Sequence, residues 1–201
     1  MIKRSFDVLV SFFGLLLLAP LLTVVALLVK LNSKGPVFFT QERMGKGFKP
    51  FTIYKFRTMV ENASQRGELT TSDQDPRITR IGLFLRRTKI DEIPQLINVL
   101  KGEMSIVGPR PEVHRYVDLF RQDYEEILKV RPGITDLASL KYQDEAALLG
   151  CSHDPEAEYQ NKILPDKIAL AKEYLSRSSL LFDLSLTLKT LPKLCGRKTS
   201  S

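Results

Sequence analysis

Apolar residues crowd the start of the chain. Residues 8–29 form a run of 22 positions with no charged side chain. As one helix at about 1.5 Å per residue, such a run measures roughly 33 Å, enough for the hydrocarbon core of a bilayer. The apolar core of a signal peptide is only about 7–15 residues long and ends at a small-residue cleavage site, and neither holds here. A buried core helix is seldom apolar on all sides over this length. The run therefore predicts membrane insertion. Both flanks are basic, with Lys3 and Arg4 before it and Lys30 and Lys34 after it. The positive-inside tendency then asks for both ends on the cytoplasmic side, which a single crossing cannot give. Pro20 removes a backbone donor and crowds the preceding turn, so it offers a place to bend back. Charge and Pro20 alone leave a straight span and a re-entrant helix equally open.

The pattern after this run is mixed. Asn32 to Pro36 marks a turn, and residues 36–40 read as a short strand. Residues 41–50 read as a basic, Gly-containing loop, and 51–57 as a strand that presents Lys55 and Arg57. Residues 61–76 are polar and predict a loop after a short helical piece. Ile78, Ile81 and Leu85 share a helical face opposite Arg77, Arg80 and Arg87, a basic amphipathic pattern suited to a membrane interface. Helices are predicted over 93–100, 113–129 and 154–176, the last interrupted at Pro165. Gly/Pro-rich turns are predicted over 102–112 and 131–133. Residues 180–191 fit both periods, and Lys189, Lys193, Arg197 and Lys198 nearby favour an interfacial helix. The fold class is α+β, with a membrane segment over 1–34 and a small, mainly helical domain over 35–201.

Composition narrows the function classes. A chain of 201 residues with 43% hydrophobic and 26% charged residues holds one ordinary domain plus an anchor and is not a disordered protein. The net charge of +7 favours anionic partners: phosphorylated small molecules, anionic lipid or nucleic acid. No nucleic-acid module is recognisable, and aromatic residues do not interleave the basic runs, so nucleic acid is not an expected partner. Cys151 and Cys195 make neither a metal-ligand spacing nor a disulfide framework, and a reducing compartment fits them. His114 and His153 are far apart, which speaks against a metal-dependent phosphodiesterase, and each reads as a surface histidine.

Candidate chemistry centres on Asp91 and Glu92, just before Pro94. Asp91 as the N-cap of a helix with Pro94 in its first turn is the purely structural reading. The functional reading is that carboxylates at a helix N-terminus stay ionised, as a nucleophile must, and that the same N-terminus welcomes phosphate. Arg86 and Arg87 lie about one turn upstream, and Arg110 stands between Pro109 and Pro111 on a stiff backbone. Guanidinium forks grip phosphate oxygens in pairs. Carboxylates and arginines on rigid turns are what phosphoryl transfer through an enzyme carboxylate needs, with magnesium neutralising a diphosphate and Asp91 as its ligand.

Taken in order, the motifs Lys55-Phe-Arg-Thr-Met59, Asp75-Pro-Arg-Ile-Thr-Arg-Ile-Gly82, Leu85-Arg86, Asp91-Glu-Ile-Pro-Gln95, Asn98-Val-Leu-Lys-Gly102, Met104-Ser105, Gly108-Pro-Arg-Pro-Glu112 and Arg131-Pro-Gly-Ile-Thr135 resemble the bacterial sugar transferase family, the monotopic phosphoglycosyl transferases. The resemblance runs from about Lys3 to the C-terminus. It implies a re-entrant N-terminal helix bent near Pro20, with both ends at the cytoplasmic face of the bacterial inner membrane. It implies a ping-pong reaction in which Asp91 takes the sugar phosphate from a UDP-sugar, releasing UMP, and Glu92 serves as general base for attack by polyprenyl (undecaprenyl) phosphate. It also implies phosphate-binding roles for Arg86 and Arg110, a basic position at Arg57 beside Lys55, and magnesium as the metal. One stretch departs from the pattern. Many members continue the Arg-Pro-Gly-Ile-Thr turn with glycine, and this chain has Asp136-Leu-Ala-Ser-Leu-Lys-Tyr-Gln-Asp-Glu145. That stretch leaves the sugar open. The sequence also leaves open the oligomeric state, a homo-oligomer included. The alternative reading from another class is a membrane-tethered basic protein that binds anionic lipid or nucleic acid without catalysis.

Overall fold

A computed structural model describes residues 2–63, 75–142 and 145–194. Most of the predicted loop over 61–76, and the basic residues Arg197 and Lys198, lie outside the described residues. The fold is mixed and mostly helical, and it begins with one long apolar helix, α1, over Ile2–Asn32. The helix continues across Pro20. Proline leaves the carbonyl one turn earlier, on Leu16, without its backbone donor. Beside it, the Thr23 hydroxyl donates to the Ala19 carbonyl at 2.9 Å, a contact that tends to bend helices.

The two ends of α1 are tied to the same folded body. At the start, Lys3 Nζ donates to the Val107 carbonyl and to the Tyr174 hydroxyl, both at 2.9 Å, and pairs with Asp183. Arg4 donates to the Val99 and Leu100 carbonyls at 2.7 and 3.1 Å, and buried Asp7 accepts from the Ser105 hydroxyl and the Ile106 N–H. At the far end, Arg57 Nη2 donates to the Ser33 carbonyl at 2.7 Å and the Val29 carbonyl at 3.3 Å. Val25 and Val29 pack there against Phe56 and Leu85. Between the ends, Leu9, Phe12, Phe13, Leu16, Leu17, Val24, Leu27 and Leu31 remain exposed, which is an apolar face without a protein partner among the described residues.

After α1 comes an antiparallel hairpin, β1 (Phe38–Met44) and β2 (Pro50–Phe56), with Phe38 opposite Phe56 and Met44 opposite Pro50. The strand thus extends well into the stretch predicted as loop. Gln41, Glu42 and Arg43 continue it because β1 is largely exposed, so its hydrophobic alternation is blurred. Helix α2 (Arg80–Thr88) starts on Thr79, whose side chain accepts from the Gly82 N–H, and it exposes Phe84 while burying Leu85. A single 3₁₀ turn over Ile90–Glu92 leads into α3 (Gln95–Lys101). Two short parallel strands, β3 (Ser105–Val107) and β4 (Gly133–Thr135), follow in the middle of the chain.

Between and after them lie α4 (His114–Leu119), α5 (Arg121–Ile127), α6 (Leu137–Lys141), α7 (Glu145–Gly150), α8 (Pro155–Glu158), α9 (Leu164–Arg177) and α10 (Leu180–Leu194). The helix predicted over 113–129 is two, because Phe120 leaves helical geometry at φ −122°, ψ 38° and packs on the core beside Tyr116 and Tyr124. Pro165 does not interrupt its helix. A π turn over Tyr159–Ile163 connects α8 to α9, and Pro165 falls in the first turn of α9, where its missing N–H costs little. Helix α10 confirms the helical reading of 180–191, with Leu186 buried and Leu181, Leu184 and Leu188 exposed along one stripe.

Candidate active site

The carboxylate pair sits where α2 ends. Lys89 adopts left-handed geometry (φ 56°), which stops α2 and turns the chain into the 3₁₀ turn carrying Asp91 and Glu92. Asp91 is not the helix N-cap that its sequence position suggested. Pro94 occupies that place before α3, and no side chain caps it. Asp91 is instead buried at 7% exposure, with Oδ1 lacking any hydrogen-bond partner. An orphaned buried carboxylate oxygen is costly, and such groups cluster where chemistry is done.

Glu92 is held from two sides. Lys55 Nζ, from β2, donates to Oε1 at 2.7 Å. Arg110 donates through Nη2 to Oε1 at 2.6 Å and reaches Oε2 through Nη1 at 3.5 Å. Arg110 therefore pairs with Glu92. Glu112 is engaged elsewhere, accepting from the Tyr159 hydroxyl at 2.7 Å and from Arg43 at 3.4 Å. The arginine loop follows β3, and the Arg131-Pro-Gly turn leads into β4 beside it. Gly108 N–H donates to the Thr135 carbonyl and Gly133 N–H to the Pro109 carbonyl. The approach is so close that a Cβ on Gly133 would lie 2.1 Å from the Gly108 nitrogen, so no larger residue fits.

Burial and charge split the two acids. Burial, reinforced by the negative charge of Glu92, pushes Asp91 up to about 6, against the pull of Lys55, Lys89 and Arg86. Burial would also raise Glu92, but Arg110 and Lys55 outweigh it and hold that carboxyl well below the usual carboxylate range. Lys55 is lowered by burial, with Glu92 restoring part of the loss. Two neighbouring carboxylates in unlike environments are thus poised for unlike roles.

The structure brings together four of the residues picked from the sequence: Asp91, Glu92, Lys55 and Arg110. Arg86 stands on the last turn of α2, donates to the Thr58 hydroxyl at 2.9 Å, and its charge acts on Asp91. Arg57 is engaged elsewhere, at the end of α1. Lys89 is a cation of the site that the sequence reading passed over. Its only signal was its place next to the Asp-Glu pair, and its left-handed backbone could not be foreseen. For a metal, the fit is that of a substrate-chelated ion. Among the described residues no group of three or more His, Cys, Asp or Glu side chains converges. Magnesium needs no such cage, since one or two carboxylates plus substrate phosphates and water hold it, and the Asp91 carboxylate would supply one of them.

Several named transferases are similar to this chain in sequence. The chain is 46% identical over 144 residues to UDP-N-acetylgalactosamine-undecaprenyl-phosphate N-acetylgalactosaminephosphotransferase of Aeromonas hydrophila, covering 69% of this chain and 34% of that protein. It is 37% identical over 197 residues to UDP-glucose:undecaprenyl-phosphate glucose-1-phosphate transferase of Escherichia coli (strain K12), covering 96% of this chain and 40% of that one. The chain thus spans little more than a third of the length of these two larger relatives. It is 35% identical over 208 residues to exopolysaccharide production protein ExoY of Sinorhizobium fredii, covering 96% of this chain and 85% of that protein. The profile of the bacterial sugar transferases matches residues 1–197, and the chain belongs to that family.

Proposed function

We propose that this protein is a phosphoglycosyl transferase that moves a sugar 1-phosphate from a UDP-sugar to polyprenyl phosphate, such as undecaprenyl phosphate, and releases UMP. The observation that carries the reading is the buried carboxylate of Asp91, with one oxygen free beside a Glu92 held by Lys55 and Arg110. In the first half-reaction the free oxygen of Asp91 attacks the β-phosphorus. The bond from that phosphorus to the bridging oxygen breaks, UMP leaves, and the sugar phosphate stays on Asp91. Arg110, Lys55 and Arg86 surround the position of the diphosphate and offset its charge as it shifts toward the leaving UMP. In the second half-reaction Glu92 takes a proton from the lipid phosphate, whose oxygen attacks the aspartyl phosphate and frees Asp91. Magnesium, held by Asp91 and the donor's phosphate oxygens, would supply charge neutralisation to the diphosphate.

The lipid acceptor asks for a membrane site. The exposed apolar face of α1, together with Phe84 on α2 and the leucine stripe of α10, supports a body seated on a bilayer. The basic flanks and the attachment of both ends of α1 to one body support a re-entrant helix at the cytoplasmic face of the inner membrane.

The reading is tested with purified protein, a panel of UDP-sugars and undecaprenyl phosphate. With one donor and no lipid, the intact mass should rise by one sugar phosphate as UMP appears, and Asp91→Asn should show neither. Comparable turnover in Asp91→Asn would remove Asp91 from the mechanism.

A further inference from the structure

In the segment Pro109-Arg110-Pro111, two of the three residues have no backbone N–H. The amide of Arg110 is the sole backbone donor there, and it donates to Asp136 Oδ2 at 3.2 Å. Asp136 is 5% exposed, and Arg110 beside it is half-buried. Its other oxygen, Oδ1, accepts from the Ser139 N–H at 2.7 Å and so caps α6. Asp136 directly follows β4, the strand that is hydrogen-bonded to the arginine loop through Gly108 and Gly133.

The guanidinium at the other end of Arg110 reaches Glu92. One carboxylate therefore joins three parts of the fold: the end of the small parallel sheet, the start of α6 and the backbone of the arginine that grips Glu92. A helix cap alone does not explain this. Serine or asparagine caps a helix as well as aspartate does, but serine has one short acceptor and asparagine one acceptor oxygen. Only a carboxylate offers an oxygen to each of the two amides.

We infer that Asp136 is a positioning residue for Arg110, holding the Pro-Arg-Pro segment in the geometry that aims its guanidinium at Glu92 and at the phosphates of the donor. The catalytic part of this inference rests on the proposed transferase reaction, while the positioning part does not. The negative charge of Asp136 also acts on the Arg110 guanidinium, second among the acidic groups to Glu92 and ahead of Glu145.

The test uses the full chain in detergent, with Asp136→Ser, Arg110→Lys and the double variant. Without substrate, hydrogen exchange at the Arg110 amide should quicken roughly tenfold in Asp136→Ser, equivalent to about 1.4 kcal/mol of lost protection, with the melting temperature lowered by no more than a few degrees. With donor, Asp136→Ser should lower kcat/KM for UMP release by about tenfold, and Asp136→Asn, which keeps one oxygen, should fall less. In the Arg110→Lys background the serine substitution should cost little more, because its effect passes through the arginine. Unchanged exchange at Arg110, or a full additional loss in the double variant, would overturn the positioning role. Wild-type protein that releases no UMP from any donor would instead overturn the proposed reaction, and the exchange measurement would still decide the role of Asp136.

Discussion

Asp91 is buried and ionisable and has one oxygen without a hydrogen-bond partner, which makes its charged form expensive to fold. Its acid form is ordinary when unfolded, near 3.8, and is held up to about 6 in the folded protein. The native state therefore binds this proton more tightly. The stabilisation that follows is complete below the unfolded value and is lost as pH rises through about 6. Above that pH the folded chain carries a buried charge that the neighbouring cations only partly offset, costing roughly 1–3 kcal/mol. Asp91→Asn abolishes the charge, so with chelator present it should melt higher than wild type at pH 7.5, by a margin that shrinks toward pH 4. An asparagine variant less stable than wild type at pH 7.5 would mean that the carboxylate has a stabilising partner. Arg110→Lys belongs to the same scale. It keeps the charge opposite Glu92 and loses the fork, so UMP release should drop by about tenfold or more while the melting temperature barely moves. Wild-type turnover in that variant would reduce the loop to a scaffold.

At the scale of elements, the sequence showed what is long or strongly periodic and missed what is short. The apolar run became α1, the alternation over 51–57 became β2, and the basic stripe became α2. Strands β3 and β4 have three residues each, buried at nearly every position, and no alternation can show in so few. Yet they are what sets the two Gly/Pro turns side by side and aims Arg110. The site was legible as residue types, because acids and arginines beside prolines have chemical meaning without a fold. Arg57 shows the limit. Alternation puts it on the face of Lys55, but β2 ends at Phe56. The Arg57 N–H then bonds the Val37 carbonyl, and its guanidinium turns to the last carbonyls of α1. Charged hydrogen bonds of this kind contribute about 1.5–3 kcal/mol each, and a cation suits a helix C-terminus. Arg57→Met should therefore lower the melting temperature by several degrees and leave the KM for the donor unchanged. A raised KM with unaltered melting would give Arg57 the phosphate contact instead.

For the whole molecule the decisive relation is between α1 and everything else. The helix has 31 residues and so is about 46 Å long, more than a bilayer's hydrocarbon core is thick. Length alone would allow a crossing. Its attachments point the other way. Lys3 is bonded to Tyr174 on α9, Asp183 on α10 and the Val107 carbonyl of β3, and Arg4 caps α3. The opposite end is bonded to Arg57 beside the hairpin. A helix that crossed the bilayer would carry one of these ends about 30 Å from its partners. It would strand Asp7, now bonded to Ser105 and the Ile106 N–H, as a lone carboxylate near the lipid. In the proposed re-entrant arrangement both ends stay in place and the apolar middle dips into the membrane and returns, with Pro20 and the Thr23 hydroxyl at the place where the helix is easiest to bend. In sealed right-side-out vesicles, a tag placed before Lys3 and one placed after Ser201 should both resist added protease. Both should be cut once the vesicles are opened. Cleavage of the first tag alone in sealed vesicles would put the N-terminus outside, so that the ties from Lys3, Arg4 and Asp7 could not exist in the membrane and the re-entrant arrangement would be wrong. A third arm separates the ties from the bend. Lys3→Ala and Asp183→Ala should each lower the melting temperature, and the two together should cost less than their sum, because both remove the Lys3–Asp183 pair.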